Sequence, residues 1–340
     1  MPHSSFRAAH AAIAAALLLA AAAASPPVAA RSDLTKPLSA THPCQLVGRY
    51  CLQSNPWVNL HQRLLHEARF GSAAPTALAG AQLGTWNDAV GRYRRYVGER
   101  DPVFDAELVA LNAALSRTKR TMLPDTIPAE PRAALESAMP HYLRAQWKSD
   151  NRANQFYIAY VIPMLVQAGG PIIAAHEDAY GIAFPSRILV DVTGLAWEFG
   201  AYAVGEGDEV HVVQSSTTPL MQGFGALESL VHEPSHAIVN GGSGAIGSDL
   251  ARAAAATKVQ PRDNLWHAMM FYTTGALTRR ALARRGIDYV PAITHRYDGP
   301  FAGMRKPLET HWQAYLDGEL SRDEAVRRVL VETRVAAPKR

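Results

Sequence analysis

Residues 222–242 read QGFGALESLVHEPSHAIVNGG, and they contain the most informative motif of the chain. Their apolar residues recur at three- and four-residue spacing, which predicts an amphipathic helix over about 224–239. His232 and His236 are one helical turn apart on that helix, and Glu233 directly follows the first of them. The Asn-Gly-Gly run after the apolar pattern is a typical helix end.

The spacing of these three residues indicates metal chemistry. Two imidazoles one turn apart can bind one metal ion from the same face of a helix, and a carboxylate beside the first can take a proton from water at the metal. The pattern predicts a Zn²⁺ site in which His232 and His236 are ligands and Glu233 is the general base. A pair of surface histidines is the alternative interpretation.

Pro234 lies inside the pattern and argues against a regular site. Proline has no N–H, so the hydrogen bond to the Leu230 carbonyl is lost, at a cost of about 3 kcal/mol unless the helix kinks. A kink between His232 and His236 would change how their nitrogens converge. A degenerate site that binds metal or peptide without turnover is therefore the alternative to an enzyme.

Outside the motif, the pattern predicts an α+β fold, mainly α-helical, with a small sheet that precedes the motif helix. Strands are predicted at 188–192, 201–204 and 210–215, the last two joined by a turn at 205–208. Before them, helical patterns recur at about 56–68, 85–98, 103–117, 131–146 and 149–168, with breaks such as the one at 169–171. After the motif, helices are predicted at 265–285 with Asp263 as the cap, at 306–316 and at 321–332.

The chain begins with a segment typical of export. Arg7 precedes an Ala- and Leu-rich run over 11–24, followed by small residues that suit cleavage, so residues 1–30 are interpreted as a signal peptide. A transmembrane anchor is the alternative, but a span needs roughly twenty apolar residues. We expect no membrane span after removal of this peptide, and a secreted or periplasmic location. A helical part over 31–180 and a part with the sheet and motif over 181–335 then form one continuous unit.

Cys44 and Cys51 are the two cysteines of the sequence. In an exported protein they meet an oxidising compartment, which predicts a disulfide that closes a short loop. Together with His42 they could instead bind metal, although a structural zinc site needs four ligands. The net charge of +4 is small for 340 residues, and no basic stripe interleaved with aromatics indicates nucleic-acid binding.

The predicted strand and motif helix over residues 210–239 resemble the active-site half of the zincin superfamily of metallohydrolases. In that fold an edge strand before the helix binds an extended substrate by backbone pairing, and the resemblance assigns this role to residues 211–216. It implies a Zn²⁺-dependent hydrolase, most simply a peptidase with a peptide or protein substrate. More loosely, the chain over 186–320 resembles a group of uncharacterised exported bacterial proteins, through residues 227–238, 265–267 and 271–273.

Zincins differ in their third metal ligand. A metzincin would have Gly and His where this chain has Val239 and Gly242. The helix predicted after the motif contains no Glu, but it carries His267 one turn inside its N-terminus, where the helix dipole disfavours the imidazolium and leaves a nitrogen free for metal. His267 is the predicted third ligand, with a hydrogen-bonded core histidine as the alternative interpretation. Glu309 is the next candidate ligand and Asp249 a weaker one.

Three further residues are candidates for supporting roles. Tyr272 and Tyr297 could stabilise the oxyanion formed when water attacks a carbonyl, although aromatic packing is the commoner role. Glu228, one turn before His232, could orient that imidazole, with surface exposure as the alternative. The leading hypothesis is an exported Zn²⁺-dependent peptidase. A noncatalytic exported binding protein and a helical scaffold with an accidental motif are the competing hypotheses.

Overall fold

The disulfide lies at the first two strands of the sheet. A computed structural model describes residues 44–71, 75–119, 122–205, 208–239 and 244–335, so the predicted signal peptide lies outside the described residues. Strands β1 (Gln45–Val47) and β2 (Tyr50–Gln53) pair antiparallel, and neither was among the predicted strands. Cys44 and Cys51 are disulfide-bonded, which confirms the predicted pairing.

From residue 56 to residue 180 the described part of the chain is helical, as predicted. Its helices are α1 (Pro56–Phe70), α2 (Gly80–Val97), α3 (Ala106–Arg117), α4 (Ala129–Tyr142), α5 (Lys148–Met164) and α6 (Gly170–Tyr180). The helix predicted at about 56–68 is confirmed as α1, where the Asn55 side chain accepts a hydrogen bond from the Trp57 N–H and proline occupies the first turn.

α4, α5 and α6 form one continuous helix, Ala129–Tyr180, so the break predicted at 169–171 is wrong. π-helical turns at Leu143–Trp147 and Leu165–Gly169 join the three parts. A π turn shifts the hydrogen-bond ladder by one residue without ending the helix, and the Gly-Gly-Pro run is accommodated at the second of these turns.

Within the described part of the chain, this continuous helix is long and apolar enough to cross a membrane, judged by length and composition. The expectation that no segment after residue 30 is long and apolar enough to cross a membrane was therefore wrong, because the sequence pattern divided this helix into separate shorter helices. Core helices of folded proteins pass the same test, which is therefore weak evidence of a span. Tyr157, Val161 and Leu165 of this helix are buried in the protein core.

The main sheet adds β3 (Arg187–Thr193), β4 (Ala201–Val204) and β5 (Glu209–Ser215). The order across the sheet is β1-β2-β3-β5-β4, in which β2, β3 and β5 are parallel. β1 and β4 are antiparallel to their neighbours and form the two edges. β5 is paired on both sides, so the assignment of an edge strand to residues 211–216 is wrong. The edge beside it is β4.

The C-terminal half is again helical. It contains α7 (Phe224–Val239), α8 (Ala245–Thr257), α9 (Leu265–Ala283), α10 (Arg305–Pro307), α11 (Gln313–Leu316) and α12 (Arg322–Val335). α9 begins after Asn264, which adopts the left-handed conformation and occupies the cap position, so Asp263 is not the cap. The described residues are 63% helical and include a five-stranded mixed sheet, which confirms the predicted α+β fold, mainly α.

Helices cover both faces of the sheet and bury two apolar clusters. α1 to α4 pack on one face, together with Tyr202 of β4 and Val213 of β5. The other cluster contains Ile188 and Val190 of β3 together with residues of α5 to α9. Alternation along the strands separates the two clusters, since neighbouring side chains of a strand point to opposite faces.

Polar contacts attach the motif helix to the sheet. Ser229 Oγ of α7 donates a hydrogen bond to Gln214 Oε1 of β5 at 2.9 Å. Gln214 Nε2 in turn donates to the Tyr157 hydroxyl of α5 at 2.9 Å. All three side chains are buried, so this chain of bonds sets the position of α7 between the sheet and α5.

Candidate metal centre

α7 and α9 bring three histidines together. The ligand nitrogens of His232, His236 and His267 lie within 4.8 Å of one another. Their ring centroids are 5.1 Å apart for His232 and His236, 5.5 Å for His232 and His267, and 5.1 Å for His236 and His267. We call these three residues the His triad. Among the described residues, this is the group of His, Cys, Asp and Glu side chains that could hold a metal ion.

Pro234 does not separate the two histidines of the motif. α7 runs continuously through it, and the Leu230 carbonyl that it leaves free accepts a hydrogen bond from the buried Tyr50 hydroxyl at 2.9 Å. Ser235 Oγ donates to the His232 carbonyl at 2.7 Å. A residue of strand β2 thus supplies the hydrogen bond that proline removes from the helix.

Burial keeps the three imidazoles neutral. His232 is 3% exposed, and burial, followed by the charges of the neighbouring histidines, holds its pKa well below the ordinary value. Burial lowers the pKa of His236 to about 4, and burial together with His236 lowers that of His267 to about 3. Nδ1 of His232 and Nε2 of His267 are buried with no hydrogen-bond partner among the described residues. Neutral imidazoles with free nitrogens fit a metal ion such as Zn²⁺.

Glu233 directly follows the triad residue His232 in the chain, and its side chain is 8% exposed. Burial raises its pKa to about 8, while the charge of Arg296 acts in the opposite direction. A cation held by the triad would favour the ionised carboxylate, which is the form that a general base needs.

Aromatic rings surround the triad. Phe271, one turn after His267 on α9, stacks on His232 with 3.8 Å between ring centroids. Trp266 and Phe301 each approach another ring of the triad to 5.9 Å. These rings restrict rotation of the imidazoles and exclude water from their sides, which favours a preorganised donor set.

Glu228 makes its hydrogen bonds to a loop rather than to an imidazole. The buried carboxylate accepts a hydrogen bond from the Tyr289 hydroxyl at 2.7 Å and from the Ala292 N–H at 3.2 Å. Gly275 of α9 makes room for this loop, because a Cβ there would lie 2.5 Å from Pro291. Glu228 therefore holds residues 289–292 in place.

The loop after Ala292 brings Arg296 to the triad, although no pattern in the sequence indicated this residue. Its guanidinium carbon lies 5.0 Å from the centroid of Phe271 and 5.6 Å from that of Phe199. Its charge acts on Glu233 and on two of the triad imidazoles. A loop position far along the chain from the motif carries no periodic signal that could have identified it.

The two tyrosines proposed from the sequence lie in a different environment. The Tyr272 hydroxyl donates to Gln313 Oε1 at 2.9 Å. The Tyr297 hydroxyl is buried with no hydrogen-bond partner among the described residues. The charge of Glu309 contributes to a raised pKa at both tyrosines. Neither tyrosine is among the groups that shift the pKa of a triad imidazole.

The competing third ligands are engaged elsewhere. Glu309 forms an ion pair with Arg305 at 2.9 Å. Asp249 pairs with Arg252 at 2.6 Å and with Arg322 at 2.5 Å. Of the three candidates from the sequence, His267 is the one that the structure places beside His232.

The arrangement combines three neutral nitrogen donors, a buried carboxyl and a guanidinium in one place. These are the groups needed to hold a cation, to move a proton and to bind an anion. No protein-family model, no curated protein and no solved structure matches this chain.

Proposed function

We propose that this protein is an exported Zn²⁺-dependent hydrolase of the zincin kind, acting on peptides. The observation that supports it is the convergence of His232, His236 and His267 within 4.8 Å, with the buried Glu233 next to His232 in the chain. Three imidazole donors suit Zn²⁺, and catalytic zinc sites use three protein ligands and leave a further position open. The resemblance of residues 210–239 to the zincins supports the same chemistry.

The residues of this site divide the work of peptide-bond hydrolysis. When bound, Zn²⁺ supplies the Lewis acidity that polarises the carbonyl and makes water more acidic. Glu233 takes a proton from the attacking water as the water oxygen bonds to the carbonyl carbon. The carbon–nitrogen bond then breaks, and the Glu233 carboxyl gives its proton to the leaving amine. Burial raises the pKa of Glu233 and a bound cation would lower it, so the two effects oppose each other at the group that takes up and returns the proton.

We propose that an extended substrate pairs with β4, which is the last strand at this side of the described sheet. The Gly200 carbonyl accepts a hydrogen bond from the Ser215 N–H of β5 at 2.8 Å. Because hydrogen-bonded pairs alternate in an antiparallel ladder, Ala201 and Ala203 turn their N–H and C=O groups away from β5. Such an edge can accept a further strand. It begins next to Phe199, whose ring contacts the guanidinium beside the triad.

Export is the proposed location. The interpretation of residues 1–30 as a signal peptide supports it. The disulfide between Cys44 and Cys51 also fits an oxidising compartment, because cytosolic thiols are kept reduced.

Metal analysis of the purified mature protein tests the site. We expect about one zinc per chain. The His267→Ala variant should lose this zinc, because a catalytic zinc site needs all three protein ligands. Glu309→Ala is the matched control: Glu309 competed for the same role but pairs with Arg305, so this variant should keep its zinc. A zinc-free wild-type protein, or a His267→Ala variant with unchanged zinc, would contradict the proposal.

A further inference from the structure

Arg296 is a cation beside the His triad without a carboxylate bonded to it. Within the described residues it forms no ion pair, and its Nε is buried with no hydrogen-bond partner. Its backbone is held in place, since the Arg296 N–H donates to the Ile293 carbonyl at 2.9 Å and its carbonyl accepts from the Gly299 N–H at 3.1 Å. A fixed guanidinium with free donors is a receptor for an anion.

Two aromatic rings hold the Arg296 guanidinium in position. Its carbon is 5.0 Å from the centroid of Phe271 and 5.6 Å from that of Phe199. Phe271 also stacks on His232 at 3.8 Å, so the guanidinium adjoins the ring that packs on a metal ligand. A carbonyl oxygen at the metal would be polarised by the metal itself. Arg296 is therefore placed for a second group, a few atoms along the substrate.

The charges at the site favour an anionic ligand. Two buried carboxyl groups, Glu233 and Glu228, act on the charge of Arg296. A divalent cation and a guanidinium together carry three positive charges, more than two carboxylates balance. A ligand with a negative charge would compensate this excess, because unpaired charge is costly in a buried site.

We propose that Arg296 binds a carboxylate of the substrate, next to the bond that is hydrolysed. This inference rests on the proposed peptidase function and narrows its substrates to peptides with an acidic group at that place. The group is the α-carboxylate of a peptide C-terminus or the side chain of Asp or Glu. Both match the two parallel N–H donors of a guanidinium, which a Lys ammonium cannot reproduce.

Peptide binding to the metal-free protein, measured by calorimetry, tests the inference without turnover. Three peptides are compared that differ only at the C-terminal end. The first has a free C-terminus, the second has an amidated C-terminus, and the third is amidated and has Glu as its last residue. We expect a carboxylate peptide to bind about 10- to 100-fold more tightly than the neutral one. The peptide that shows this gain identifies the α-carboxylate or the side chain as the source.

Variants assign the gain to Arg296. Arg296→Gln should remove the difference between acidic and neutral peptides, and Arg296→Lys should keep part of it. Arg305→Gln is the matched control, because Arg305 is a nearby exposed arginine paired with Glu309 and should leave the difference unchanged. With zinc bound, Arg296→Gln should raise KM for the acidic peptide and leave kcat nearly unchanged, as expected for a group that acts in binding.

The outcomes separate this inference from the proposed function. Equal binding of acidic and neutral peptides by a protein that holds zinc and cleaves peptides would overturn the role of Arg296 alone. A kcat that falls equally for all three peptides in Arg296→Gln would also overturn it, since Arg296 would then act on charge that develops in the reaction. An Arg296-dependent preference for acidic peptides in a protein that binds no zinc would support the carboxylate site and contradict the hydrolase.

Discussion

Two polar clusters that contain histidine lie on opposite faces of the sheet, and their partners differ. On the face covered by α1 to α4, His211 Nε2 lies 2.8 Å from Asp191 Oδ2. Gln53 Nε2 donates to Asp191 Oδ1 at 3.0 Å, and the Ser116 hydroxyl donates to Asp191 Oδ2. On the opposite face, the His triad has buried nitrogens with no partner among the described residues.

The difference shows how buried polar groups can be classified. His211, Gln53 and Ser116 are each bonded to the Asp191 carboxylate, as buried polar groups in a structural network are. In the triad, His232 Nδ1 and His267 Nε2 have no partner among the described residues, and buried polar atoms without partners need a reason such as a ligand. We therefore interpret the cluster around Asp191 as part of the structural framework and the His triad as a binding site.

The largest expected effect is on the triad side and concerns turnover. Glu233→Gln should lower the cleavage rate of a peptide library by about 10²- to 10⁴-fold, because the amide cannot take a proton from water. Zinc content should not change. Glu228→Gln is the matched control on the same helix, since Glu228 holds the 289–292 loop and its loss should affect stability more than turnover. Undiminished cleavage by Glu233→Gln would remove its role as general base.

The next effect is on the framework side and concerns stability. Asp191→Ala should lower the free energy of unfolding by about 3–5 kcal/mol, because it leaves His211, Gln53 and Ser116 without their shared acceptor. Urea unfolding measures the change, and the zinc content should stay the same. His267→Ala should do the reverse, with zinc lost and a smaller change in metal-free stability. Loss of zinc in Asp191→Ala without loss of stability would erase the distinction between the two clusters.

A smaller effect concerns the hydrogen bond between the sheet and the motif helix. Tyr50→Phe should cost about 1–3 kcal/mol, because it leaves the buried Leu230 carbonyl without a donor. Pro234→Ala restores a backbone N–H to that carbonyl, so the same Tyr50 substitution should cost less in a Pro234→Ala protein. A double-mutant cycle by urea unfolding measures this coupling. Strictly additive costs would show that Tyr50 does not compensate for the proline.

The smallest effect is a dependence of stability on pH that both faces share. Burial lowers the pKa of His61, on the α1 to α4 side, and of His176, on the triad side, to about 3. An unfolded histidine takes up a proton near pH 6.5, so metal-free stability should fall by about 1.4 kcal/mol per pH unit and group as the pH drops from about 6.5 toward 3. His176→Phe should reduce this slope in urea unfolding between pH 7 and 5. A slope that does not change would show that His176 is protonated in the folded protein.

Local patterns account for most of the secondary structure. The predicted helix over 224–239 corresponds to α7, and the three predicted strands correspond to β3, β4 and β5, because hydrophobic periodicity is a property of neighbouring residues. The short strands β1 and β2 give too few positions for a period. The π turns within Ala129–Tyr180 were missed because Gly and Pro normally end a helix, and packing of its buried face keeps this one intact.

The sequence by itself determined the pairing of His232 with His236 beside Glu233, because four residues along a helix place two side chains on one face. It also nominated His267, with Glu309 and Asp249 as competitors. The tertiary structure alone decided among the three, placed Tyr50 under Pro234 and brought Arg296 to the triad. These contacts join residues far apart in the chain. They depend on how the helices pack on the sheet, which no local spacing encodes.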